Sequence, residues 1–460
     1  MPAEDSPRNA PQLVRGLGAW DGALLTIGAT VGTGIFLTGG DIARSLPHAG
    51  LILLVWIVGG LLTLAGAVTY AELGVLFPRA GGMYVFLREA YGPLAGFLYG
   101  WTCFLVIGSA GIAAIAAGFG EYLGSFLPFF STQHALFAVP LGGWTWTVSG
   151  GQLAAAVAIV LLTGINCLGL RAGAGTQNLL TVLKVGAIVG LVAFGMLAQR
   201  KATPEFLVAP PEPRLFAAFG VAMIAALWTY DGWYGLTFSA GEVRRPERNL
   251  PLGLIWGNVA VLMMYAALNL VYLRALPVEA MGATPRIAES AAEALFGGLG
   301  ARLVSAIVLV ASFGCLAANI LYVARIYLPM ARDGVFFGAL GHVHPRYHVP
   351  ARSLLAQGLW SVLLTLSGTF TELYTYVVFA GTVFHAATGA AVFVLRRSRP
   401  ELPRPYRTWG YPAVPALFIL GCLLLVINTL VEKPVESLWG IALVACGLPA
   451  YALWRRRPST

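Results

Sequence analysis

Two stretches decide how this chain folds: TIGATVGTGIF at 26–36 and WTYDGWYG at 228–235. Each interrupts a long apolar run. The first sets Gly28, Gly32 and Gly34 inside a segment of membrane-crossing length, and the second sets Asp231 and Gly232 in the middle of another. Glycine in a helix interior costs about 1 kcal/mol relative to alanine, and backbone groups freed in hydrocarbon find no solvent partner. An interruption at that depth is costly unless the freed N–H and C=O groups are put to use. The competing reading is that the glycines only let neighbouring helices approach closely, as small residues do in membrane bundles.

Working outward from these stretches, the chain divides into twelve apolar segments, near 19–45, 49–77, 94–120, 149–170, 176–198, 214–240, 252–275, 300–330, 353–368, 372–395, 412–431 and 437–455. Of the 460 residues, 58% are hydrophobic and 11% charged. Soluble chains carry about 25% charged residues, so most of this surface faces lipid. The runs have roughly the 20 residues that a spanning helix needs and are too long and continuous for barrel strands of about 10 alternating residues. The prediction is an all-α integral membrane protein with segments 1 and 6 broken. Five segments counted from each break give matching units, 19–198 and 214–395. They enter the membrane from opposite sides because five is odd. Two additional helices at 412–455 and short tails at 1–18 and 456–460 complete the chain. Paired interruptions at corresponding places in two halves point to an inverted-repeat transporter. The pairing is by position and not by visible sequence identity.

Lys and Arg placement sets the orientation. With a cytoplasmic N-terminus, 20 of the 29 basic residues fall in or beside inside loops, Arg325 among them, and eight fall outside; Lys184 lies within a segment. The positive charge is therefore topological, and no soluble basic domain suggests nucleic-acid binding. The expectation is a multi-pass plasma-membrane protein, of a bacterial inner membrane, with both termini cytoplasmic. The first 18 residues lack the apolar core of a signal peptide. Cys103, Cys167, Cys315, Cys422 and Cys446 all lie in apolar segments, without metal spacing. His342, His344 and His348 in HVHPRYH read as a solvated, Pro-containing loop rather than a metal site. No cofactor and no metal are expected. The outer loop near 121–148 is rich in Phe and Trp and is expected to hug the membrane surface; 286–297 reads as a short amphipathic helix.

The chemistry follows from the breaks. The start of a half-helix presents unpaired N–H groups and the positive end of its dipole, so Gly32, Thr33 and Gly34 can receive a carboxylate. The ends of the preceding half-helices expose carbonyls near Thr30, Trp228 and Thr229, which suit an ammonium group. A zwitterionic α-amino acid satisfies both. Lys184, in LLTVLKVGAIVGL, is an intramembrane cation and needs a partner or a cavity. It reads as a fixed charge, as a proton carrier with burial acting on its ammonium, or as a snorkelling side chain. Asp231 either attracts a substrate cation or hydrogen-bonds the N–H groups of its own break. Trp228 reads as a gate or as a packing residue, Glu72 as a structural ion-pair partner and His385 as a core histidine.

VGTGIF at 31–36, YAELGVLFPRAGGMYVFLREAYG at 70–92, WTYDGW at 228–233 with GEVRRPERNLP at 241–251, ARDG at 331–334 and YRTWGYPAVP at 406–415 resemble the amino acid–polyamine–organocation superfamily, and within it the L-amino acid transporter family. The resemblance spans segments 1 to 11. It implies the LeuT-like fold of five plus five inverted helices with two added, and a substrate carboxylate on Gly32, Thr33 and Gly34. It further implies a substrate amine near Thr30, Trp228, Thr229 and Asp231, a gate at Trp228, and Lys184 in the region of a lost sodium site. Thr33 stands where relatives often carry Ser, and Trp233-Tyr234 where many read Trp-Asn. No cysteine falls between Cys103 and Cys167, so no disulfide-linked accessory subunit is expected. A monomer is expected, since the outer helices need only lipid.

The reading is a sodium-independent L-amino acid transporter, exchanging small or medium neutral substrates by alternating access. A cationic amino acid or polyamine exchanger selected by Asp231, or a proton-coupled symporter, are the alternatives within the class. A membrane-embedded enzyme would need a converging acid, base or nucleophile set, and a channel a filter-like loop or charged ring; the sequence offers neither.

Overall fold

A computed structural model of the protein describes residues 15–141, 144–168, 170–206, 214–367 and 370–455. It is almost entirely helical, in the LeuT-like arrangement. Nine helices among the described residues are long and apolar enough to cross a membrane. They cover nine of the twelve expected segments; segments 1, 5 and 9 are the other three. Segment 1 is divided into Ala19–Thr30, Gly34–Leu37 and Gly39–Ser45. Segment 9 is only Ala351–Thr365. Segment 5 is a single helix of 28 residues, Leu170–Leu197.

The segments sort into two packed groups. Segments 1, 2, 6 and 7 lie chiefly against one another, and segments 3, 4, 8 and 9 form a second body; segment 5 bridges the two. Close approach needs small residues. A Cβ added to Gly257 of segment 7 would lie 2.7 Å from Thr26 of segment 1, and one added to Gly118 of segment 3 would lie 2.7 Å from Thr33. The room for Thr33 in place of Ser thus comes from the glycine opposite.

Local chemistry marks the helix ends. Ser149 caps segment 4 in a box with Gln152, whose side chain accepts from the Ser149 N–H at 2.8 Å. Segment 7 starts at Pro246, where a missing N–H costs nothing. The predicted amphipathic helix is present from Ile287 and turns into segment 8 at Gly297, with φ +73°. Segment 3 contains a π-helical turn, Cys103–Ile107, which nothing in its sequence announces. Between segments 3 and 4 the strands β1 (Ala135–Leu141) and β2 (Trp144–Ser149) pair antiparallel. Leu136, Phe137 and Val139 are exposed on β1, and Trp146 Nε1 donates to Leu366 O at 2.7 Å.

The end of the bundle that holds residue 15 carries a lattice of charges. Glu72 accepts from Arg396 at 2.9 and 2.7 Å and from the Thr408 N–H at 2.7 Å, as a structural partner should. Glu89, on the short helix Met83–Tyr91, meets Arg399, Arg88 and Arg79. Burial alone would raise its carboxyl's pKa, but the hydrogen bonds from Arg399 and Arg88 outweigh that and hold it below the usual range. Asp333 accepts from Tyr84 and Arg88.

Arg325 corrects the sequence reading. It does not belong with a solvent-side loop, because the segment 8 helix continues to Arg332. Its guanidinium is buried, with Nε on Glu242 Oε1 at 2.7 Å, and both side chains are under 10% exposed. Removing one partner of a buried ion pair leaves an uncompensated charge and costs about 3–5 kcal/mol. Arg325→Ala is therefore expected to lower the melting temperature of the purified protein sharply. Arg332→Ala, at an exposed position, should leave it nearly unchanged.

Candidate functional site

Both predicted breaks are present, and they touch. In segment 1 the first half-helix ends at Thr30, Val31 is extended, and the helix resumes at Gly34. In segment 6, Leu215–Tyr230 ends on Asp231, whose ψ of 149° leaves the helix, and a 3-10 helix resumes at Gly235–Glu242. Gly232 has φ +95°, and a Cβ there would sit 2.7 Å from Ala29 O; both facts demand glycine. A Cβ on Gly34 would lie 2.7 Å from Thr229 Oγ1, and one on Gly32 would lie 2.6 Å from Cys315 Sγ. The packing reading of these glycines is thus also true. They let segments 1, 6 and 8 meet at the place where the helices open.

The carbonyls released by the breaks are accounted for one by one. Lys184 Nζ donates to Gly28 O at 2.6 Å and to Val31 O at 2.8 Å. Cys315 Sγ and Asn319 Nδ2 reach Ala29 O at 3.2 and 3.3 Å. The Tyr265 hydroxyl lies 3.1 Å from both Thr30 O and Thr229 O, so one side chain spans the two breaks. Asn258 Nδ2 donates to Trp233 O at 3.1 Å. The amides of Gly32, Thr33 and Gly34 lead into the half-helix that resumes at Gly34, and the first N–H groups of a helix have no intrahelical acceptor. Thr33 Oγ1 is buried without a partner.

Thr30, Gly32, Thr33, Gly34, Trp228, Thr229 and Asp231 all line one cavity of about 20 Å³, together with Ala29, Ile115, Cys315 and Asn319. A second cavity of about 20 Å³ opens from Asp231 towards segments 3 and 8, past Tyr99, Cys103 and Tyr322. A third, of about 40 Å³, runs from Asp231 towards segments 10 and 11, past Thr382 and His385. Spaces of this size hold a water or two, so a larger solute enters only if the helices part. A roomier crevice of about 440 Å³ lies among segments 2, 6 and 11. It is apolar, its walls include the exposed Leu61, Phe216 and Leu420, and it touches neither break.

The cavity is closed on both sides. Trp228 stacks on Tyr374 at 5.9 Å and 21°, and the Tyr374 hydroxyl donates to Asp41 Oδ2 at 2.8 Å. Across the cavity, Glu242 and Arg325 join segments 6 and 8, and the Tyr322 hydroxyl reaches Leu25 O at 3.3 Å.

Lys184 is the predicted residue that the structure does not bring to the cavity wall. Its ammonium is buried behind segment 1, away from any interface, which rules out the snorkelling reading. Tyr265, Cys315, Asn319 and Tyr374 were missed. Polar residues within a span are a signal for function in general, and Asn258 and Asn319 carried it. His385 Nδ1 bonds the Tyr70 hydroxyl at 2.8 Å, as a core histidine would. His344 Nδ1 accepts from the N–H groups of Arg346 and Tyr347 at 3.3 Å and so organises its own turn. Among the described residues, no three His, Cys, Asp or Glu side chains gather as metal ligands.

A small closed chamber lined by two interrupted membrane helices defines a solute carrier. The chain belongs to the amino acid permease family, whose pattern matches residues 17–448. It is 30% identical to the "Serine/threonine exchanger SteT" of Bacillus subtilis, over 95% of this chain and 96% of that protein. It is 29% identical to the "Large neutral amino acids transporter small subunit 2" of Mus musculus, over 94% and 80%. With the "Cystine/glutamate transporter" of Homo sapiens it shares 28%, over 97% and 87%. These relatives are transporters and not enzymes, and amino acid transport is the activity they share with the family.

The close approach of Gly32 to Cys315 gives a direct check. Gly32→Ala is expected to lower thermal stability by about 1–3 kcal/mol, the usual cost of overpacking. Cys315→Ala in the same chain removes the colliding sulfur and should restore most of that loss.

Proposed function

We propose that the chain is a sodium-independent exchanger of small or medium neutral L-amino acids in a bacterial inner membrane, with its Arg-rich end and both termini on the cytoplasmic side. The observation that carries this reading is the Lys184 ammonium on Gly28 O and Val31 O. Carbonyls released at a helix break in a dry interior attract a cation. Here the protein supplies one covalently, so no dissolved sodium is needed to hold the break together.

Substrate binding follows from the polarity of the chamber. The amides of Gly32, Thr33 and Gly34 take the carboxylate, favoured by the helix N-terminus. The ammonium sits against the carbonyls of Thr30, Trp228 and Thr229. Tyr265 offers one proton to Thr30 O and Thr229 O together, while each carbonyl has two lone pairs, so lone pairs remain for a substrate amine. Tyr99, Tyr234, Tyr322 and His385 crowd the space around Asp231, which favours small side chains. The similarity to a serine/threonine exchanger favours the same size class. The loop between segments 3 and 4 has no cysteine, in keeping with a chain that works without a disulfide-linked subunit, as a monomer.

Alternating access requires the two helix groups to move against each other. On the outer side, Trp228 must leave Tyr374. On the inner side, segment 6 must leave segment 8, which breaks Glu242–Arg325.

The test is uptake of labelled L-alanine and L-serine into proteoliposomes without sodium, with and without unlabelled amino acid inside. Uptake that needs internal substrate and ignores a pH gradient supports exchange. Uptake into empty vesicles driven by an inward proton gradient would replace exchange with symport and make Lys184 the proton carrier. Lys184→Met strands two buried carbonyls at about 1–3 kcal/mol each and should reduce exchange at least tenfold.

A further inference from the structure

We infer that Asn319 gives this carrier a preference for hydroxylated side chains: its amide nitrogen is anchored to the segment 1 break, and its amide oxygen receives the side-chain O–H of serine or threonine. The inference rests on the reading of the chamber as an amino acid site and narrows the substrate class.

Asn319 stands on segment 8 and lines two of the small cavities. One is bounded by Gly32, Thr33 and Gly34, and the other leads from Asp231 past Tyr99. An amide has a donor edge and an acceptor edge, and its neighbours decide which way it lies. Here both neighbours are carbonyls. Nδ2 donates to Cys315 O at 2.9 Å and to Ala29 O at 3.3 Å. Those oxygens hold the nitrogen, so Oδ1 takes the other direction. No hydrogen bond from the described residues reaches Oδ1. Asn319 keeps partial exposure although it sits deep within a spanning helix, and the space it meets there is that of the two cavities.

The hydroxyls around it are already engaged or sealed. Thr30 Oγ1 donates to Thr26 O at 2.8 Å, and Thr229 Oγ1 to Ala225 O at 2.9 Å. Thr33 Oγ1 has no partner but is buried where a Cβ on Gly118 would lie 2.9 Å away. The two cavities share Ile115, Asp231 and Asn319. A substrate with its carboxylate on Gly32, Thr33 and Gly34, and its side chain turned towards the second cavity, passes between Ile115 and Asn319. One wall is apolar and the other is an acceptor. That gap suits a short side chain with carbon on one side and a hydroxyl on the other. A side chain without the donor leaves the amide oxygen unmet, and such a site discriminates against it. Asp231 also lines both cavities, but a hydroxyl held by Asp231 alone would be indifferent to position 319.

The experiment measures competition against labelled L-alanine by two pairs of nearly equal shape, serine with α-aminobutyrate and threonine with valine. Wild-type and Asn319→Leu proteoliposomes are compared. Leucine is close to asparagine in volume, and Cys315 Sγ still reaches Ala29 O at 3.2 Å, so the break is not stranded. In the wild type the hydroxylated member of each pair should compete about five- to tenfold better, the worth of one neutral hydrogen bond. In Asn319→Leu that ratio should fall to near one. Thermal stabilisation of the purified proteins by the same four amino acids reads the preference without transport, and Asn319→Ala is read in the same way. Equal competition within both pairs in the wild type, or an undiminished ratio in the variants, would overturn this inference alone. Loss of all four ligands alike from both variants would make Asn319 part of general substrate binding and would also overturn it. A wild type that exchanges no amino acid overturns the functional reading and this inference with it.

Discussion

Everything in this molecule turns on carbonyl oxygens that a broken helix releases at a depth where hydrocarbon offers them no partner. Segments 1 and 6 each stop half-way, and together they set free the oxygens of Gly28, Ala29, Thr30, Val31 and Thr229. Segments 5, 7 and 8 answer with Lys184, Tyr265, Cys315 and Asn319. These four side chains reach across from three helices, so the break is a junction at which three neighbours are fastened. A helix end that would be a defect in isolation becomes the point that fixes the relative positions of its surroundings. Tyr265 is the tightest expression of this, since one hydroxyl serves both breaks and prevents either from relaxing alone.

Much of this was legible in the chain. The length and polarity of the segments gave the helical membrane fold, and the glycines with Asp231 gave both breaks. The seven residues taken from them share one cavity wall. The partners were not legible, for a physical reason. A Tyr, Cys or Asn inside an apolar helix reveals that something polar is tolerated there, but not which face it occupies or which oxygen it meets 36 to 290 residues away. Arg325 failed in the opposite direction: proximity to a basic loop suggested solvent, whereas the continuing helix carries it into the protein. The glycines held two meanings at once, because the close contact of segments 1, 6 and 8 and the opening of the helices happen at the same atoms.

The two closures of the chamber differ in kind. One is a pair of aromatic rings backed by a hydrogen bond to Asp41. Stacked rings are worth about 0.5–1.5 kcal/mol beyond their buried area, and they can slide apart without stranding a charge. The other includes a buried ion pair, and parting it exposes two charges that water must reach as they separate. The side held by rings opens with little electrostatic cost. The side held by Glu242 and Arg325 opens only if hydration arrives with the motion. Opening at the two ends is therefore unequal before any substrate is considered.

A cation fixed to the polypeptide also bears on energy conversion. A dissolved ion that entered with substrate would carry charge through the membrane field, worth about 2.3 kcal/mol for each charge and 100 mV. Lys184 is tethered to its own helix, and a zwitterion adds no net charge. A cycle of this kind has no lever on which the membrane voltage can pull. On the proposed reading, what the protein can accumulate is set only by the concentration ratio of the amino acid leaving in exchange.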